Sequence, residues 1–72
     1  MNLQTWERIA EPYVHGYRAQ HGARIAEVIR HYSGDWRIHR STGGARVIDP
    51  DARSYPHHKR ALADAWRWLQ EA

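Results

Sequence analysis

Ala23-Arg24-Ile25-Ala26-Glu27-Val28-Ile29-Arg30-His31-Tyr32 is the stretch on which the fold turns. Ile25, Val28, Ile29 and Tyr32 have helical spacing, yet the β-branched content and the tight-turn cluster Ser33-Gly34-Asp35 that follows favour a strand. Read as a strand, it is the natural hairpin partner of the next segment.

That segment, Asp35 to Ser41, alternates Trp36 and Ile38 on one face with Arg37 and His39 on the other. Thr42-Gly43-Gly44 then supplies residues that tolerate positive φ, a second strand runs from Ala45 to Asp49, and Asp49-Pro50-Asp51 closes it with a turn. From His57 to Gln70 the period changes. Leu62, Ala65, Trp66 and Leu69 fall at i, i+3, i+4 and i+7 and form the apolar stripe of a helix. Arg60, Asp64, Arg67 and Glu71 alternate in sign on its solvated side. Pro56 suits the helix entry, and Ser54 is a candidate cap. Trp68 stands about 110° from the centre of the stripe at 100° per residue, so it is either a flank of the core or an exposed anchor.

Upstream, Leu3, Trp6, Ile9 and Ala10 fit a short helical turn and Thr5 to Ile9 fits a strand, either one ended by Pro12. Tyr13 to Gln20, which has two aromatics, Tyr13 and Tyr17, with Gly16 between them, reads as an edge strand or an ordered loop. The expectation is one α+β domain over residues 1–72: a curved antiparallel sheet of three or four strands with the C-terminal amphipathic helix packed on one face. Its core is expected from Trp36, Ile38, Val28 or Ile29, Val47 or Ile48, Leu62, Trp66 and Leu69.

Composition bounds the function. A domain of 72 residues buries only about 60% of its unfolded surface, so each of its four Trp and four Tyr carries a large share of stability, and a deep active-site cleft is not expected. With no cysteine there is neither a disulfide framework nor a thiolate zinc site, which suits a reducing cytoplasm. The first residues contain no apolar run after a basic start, and nothing approaches the ~20 apolar residues of a membrane span. The chain is therefore expected to be cytoplasmic, without membrane attachment. Net charge is +3, and ten of the eleven basic residues are Arg, the exception being Lys59. Between His15 and Arg46 six Arg face only Glu27 and Asp35, which makes the middle of the chain its basic part.

Six histidines raise the question of a metal, but no His pair at i, i+4 lies on the helix, and surface histidines are the simpler reading. No metal, cofactor or small-molecule substrate is expected. For catalysis, His39-Arg40-Ser41-Thr42-Gly43-Gly44 is faintly similar to the glycine, serine and histidine cluster of the HicA-like toxin ribonucleases, without that family's Gly-Ser-His triplet. The resemblance would imply a ribonuclease; it ranks third. Direct DNA or RNA binding ranks second, through Arg37 and His39 with Arg30 or His31 and Arg46 as cross-strand partners on a basic hairpin face, and with tyrosines stacking on bases. Ranked first is protein binding, because Trp, Tyr and Arg are the side chains enriched at interface hot spots. In size, charge and layout the chain resembles the small regulators that bacteriophages make to seize host machinery, RNA polymerase among the targets. The resemblance implies a non-enzymatic inhibitor of transcription. Expected partner-binding residues are Arg37, His39, Arg46, Tyr13, Tyr17, Arg30 and Trp68.

Overall fold

The computed structural model describes residues 6–9, 11–12, 14–47 and 53–71, with the backbone alone for 45–47. In chain order the elements are β1 (Glu7–Arg8), β2 (His15–His21), β3 (Arg24–Arg30), β4 (Trp36–Thr42), β5 (Ala45–Val47), β6 (Ser54–Tyr55) and α1 (His58–Gln70). All strands pair antiparallel in the order β1-β2-β3-β4-β5, and β6 joins the same edge of β4 as β5, further along it. The fold is α+β as the sequence implies, with more strands than expected. The additional strands are the two-residue pieces β1 and β6, too short to carry a readable alternation.

Ala23–Tyr32 is a strand. Tertiary pairing overrides its helical spacing, because both of its edges find partners: Val28 lies opposite Tyr17 on β2 and opposite Ile38 on β4. Gly34 at φ +92° makes the tight turn into β4, with the His31 amide bonded to the Asp35 carbonyl at 2.8 Å. Tyr13 lies outside the described residues, and the rest of Tyr13 to Gln20 is an inner strand with β1 on its far side.

The register sends Ala19, Ala26, Val28 and Tyr55 to the side covered by α1, where Ala61, Leu62, Ala65 and Leu69 meet them. Ala26, Val28 and all four helix residues are fully buried. The cross-strand pair Ala19 and Ala26, with Ala61 and Ala65 one helical turn apart, puts small side chains on both sides of the contact, so helix and sheet approach closely. Val28 rather than Ile29 enters the core, since alternation turns Ile29 to the other face. Ile48 lies outside the described residues, as does the Val47 side chain. Trp66 is half-buried rather than central, and tilts against the buried Trp6 at 6.3 Å between ring centres.

Helix entry differs from the capping expectation. Ser54 is in β6, and the N-cap is His57 with no side-chain hydrogen bond. The His58 ring lies against Tyr17 and Trp36 at 6.0 and 5.3 Å, so aromatic packing holds this end. The other end is held by the β2–β3 turn: Arg24 donates to the Trp68 carbonyl at 2.6 Å and His21 to the Leu69 carbonyl at 3.2 Å. Both carbonyls lie in the last helical turn, where i+4 amide partners run out, and the Trp68 carbonyl also accepts from the Glu71 amide at 3.3 Å. Among the described residues no helix is long and apolar enough to cross a membrane.

Candidate interaction face

With α1 on one side, β2, β3 and β4 turn a second face away from the helix, bordered at β2 by Ile9 and Glu11, which share a shallow space with Arg18 and Glu27. Its residues follow from the register in three rows. Glu7, Arg18, Glu27 and His39 stand side by side across four strands. Gly16, Ile29, Arg37 and Ser54 form the next row, and Gln20, Ile25 and Ser41 the third, with Arg46 at the register position beyond Ser41. The Arg46 side chain lies outside the described residues.

Arg37 and His39 thus share the face that alternation gives them. Directly across from them on β3 are Ile29 and Glu27, so the face is mixed in sign with apolar ground between charges. Ile25 and Ile29 are half-buried there, and Ile29 lies over the flat spot left by Gly16. Arg37 is held by Asp35, Nε to Oδ2 at 3.0 Å, with its side chain still 47% exposed. The Ser33 hydroxyl and this guanidinium keep the Asp35 carboxyl below its usual range. His39 stacks on His31 at 5.8 Å.

Three other expected residues stand elsewhere. Arg30 takes the helix-side parity, opposite Trp36. Tyr17 is half-buried beneath the helix and stacks on Trp36 at 6.1 Å. Trp68 is a flank of the core, with the guanidinium carbons of Arg24 and Arg40 4.9 and 5.7 Å from its ring centre. The cation–π pairing supplies the favourable setting that leaves this indole half-buried. Arg18, Ile25, Glu27 and Ile29 were the members of the face that sequence reasoning passed over. Their signal was the period of two in Gly16-Tyr17-Arg18-Ala19-Gln20 and in Ile25 to Ile29, hidden by helical spacing in one case and by the Gly in the other.

Tyr55 is only 8% exposed, because β6 pairs it beside Trp36 and turns it under the helix. Its hydroxyl donates to Asp64 Oδ2 at 2.7 Å. Burial and then this carboxylate raise the phenol above its ordinary 10.0. The stability tied to the protonated phenol is complete below pH 10.0 and is lost as pH rises through the higher folded value. Tyr55→Phe is therefore expected to cost about 1 kcal/mol at neutral pH. The gap between the two melting temperatures should narrow at strongly alkaline pH; a constant gap would place the bond's contribution elsewhere.

No protein-family model matches the chain, and neither the curated proteins nor the solved structures contain a significant match to it.

Proposed function

We propose that this chain is a non-enzymatic binding module of the nucleic-acid machinery that docks its open sheet face on a protein surface, with RNA polymerase the first target to test. The observation that carries the reading is the row Glu7, Arg18, Glu27, His39 beside half-buried Ile25 and Ile29. Alternating charge around apolar ground gives a partner protein both area to cover and a register to recognise. The phage-regulator likeness supplies the target class and nothing finer.

Direct nucleic-acid binding is the second reading, favoured by exposed Arg18 and by Arg37 on the same face. Glu7 and Glu27 weigh against it, since they would stand among phosphates.

The test is titration of the full chain against purified bacterial RNA polymerase and against labelled DNA and RNA at two salt concentrations. Polymerase binding is expected. Replacing Arg18 and Arg37 together with Ala should weaken it tenfold or more while shifting stability by no more than about 0.5 kcal/mol per site. Undiminished capture by the double variant would remove the open face as the site. Binding to DNA or RNA with a log–log salt slope of about 0.7 to 0.9 per phosphate would turn the assignment to nucleic acid.

A further inference from the structure

A cleft with about 270 Å³ of space opens on the helix side of the sheet, away from the interaction face. Its wall on β4 is Ile38 and Arg40; Arg53 and Tyr55 come from the β6 strand and the residue before it; Asp64, Arg67, Trp68 and Glu71 come from the helix. Three guanidinium groups from three separate segments converge here. Arg53 and Arg67 form no ion pair within 4 Å among the described residues, although two carboxylates line the same space. One of those carboxylates, Asp64, is engaged by the Tyr55 hydroxyl at 2.7 Å.

The geometry points to a second binding site, for a nucleoside monophosphate. Arg53 and Arg67 are among its lining residues, and a guanidinium fork suits a phosphate group; Trp68, whose ring already carries Arg24 and Arg40, and Ile38 supply the apolar part of the lining, against which a base can lie. The carboxylates of Asp64 and Glu71 would accept hydrogen bonds from the donors of a base or a ribose. Those carboxylates also set the ligand's charge: a polyanion would meet them, whereas a single phosphate leaves them to the neutral part of the molecule. In size the space falls just short of the roughly 300–1,000 Å³ of ligand pockets, which suits a ligand no larger than a mononucleotide in a cleft that stays open to solvent on one side. The site is independent of the proposed docking face and stands or falls without it.

The test is calorimetric titration of the full chain with adenosine monophosphate, uridine monophosphate, inorganic phosphate and a short poly-glutamate peptide. In parallel, the four Trp indole N–H signals are followed by NMR. The monophosphates are expected to bind more tightly than inorganic phosphate and to shift the Trp68 indole signal most. Arg53→Ala and Arg67→Ala are each expected to weaken them about tenfold or more, while Lys59→Ala, which removes the same charge from an exposed site on the same helix, leaves them unchanged. Equal losses in the Lys59 and Arg67 variants would show general charge attraction and overturn the site. So would inorganic phosphate binding as tightly as the nucleotides, tighter binding of poly-glutamate, or an unmoved Trp68 signal in the parent chain. The NMR readout on the parent chain requires no variant to fold.

Discussion

Leu62→Ala is expected to leave most molecules unfolded at physiological temperature. Leu62 has no exposed surface and sits between Ala61 and Ala65 on the helix stripe, over Ala26 and Val28 of the central strand. Truncating a buried Leu costs about 2–5 kcal/mol, the spread depending on how far the surroundings collapse into the cavity. Val28 and Leu69 of the same cluster are themselves fully buried, and the alanines around them have no side chain that could swing into the space, so the upper half of that range applies. A core of this size rarely supplies more than about 3–5 kcal/mol in total. Circular dichroism through a thermal melt reads the outcome directly. A variant that keeps its helix signal and melts only a few degrees lower would mean that the helix draws its stability from the aromatic ends and not from the alanine-lined middle.

Gly16→Ala should also destabilise the domain, against the usual sign of that change. Gly-to-Ala normally gains about 0.4–1 kcal/mol by restricting the unfolded chain, provided that the native backbone accepts a Cβ. At Gly16 the added carbon would run into the Val28 carbonyl oxygen and stand 2.9 Å from Cδ1 of Ile29. The first obstacle is backbone of the neighbouring strand, so β2 and β3 must separate there. Overpacking of this kind costs about 1–3 kcal/mol and outweighs the entropic gain. A melting temperature equal to or above the parent's would show that the two strands are spaced more widely than this register requires.

Much of the fold was legible because its periods are clean. Trp36-Arg37-Ile38-His39 alternates through one strand, and Leu62, Ala65 and Leu69 repeat along one helical stripe; both observed elements lie within a residue or so of those expected. The choice between strand and helix at Ala23–Tyr32 rested on its flanking turns, and Gly34 at positive φ shows why a turn outranks spacing there: it returns the chain antiparallel to β3. Other features left no trace that periodicity could carry. Tyr55 is buried by two-residue pairing with Trp36, and Ser54 is a strand residue for the same reason. The face itself was half legible. Alternation assigns Arg37 and His39 to one side, but which residues stand beside them depends on register, which put Glu27 next to His39 and gave Arg30, still exposed, the parity of the helix side. The cleft could not be read at all, since Arg40, Arg53 and Arg67 meet only after the sheet and helix have assembled.

The bonds from Arg24 and His21 to the carbonyls of Trp68 and Leu69 join residues 44 and 48 positions apart in the chain. The tip of one hairpin and the final turn of the helix therefore belong to a single opening unit. A helix end ordinarily frays by itself, at almost no free energy, while the strands beneath it stay shut. Here the last turn cannot unwind without releasing Arg24 and His21, and the turn around Gly22 cannot loosen without exposing those carbonyls. The weakest part of an ordinary helix is coupled to the central sheet, and excursions at either end of that coupling are felt at both.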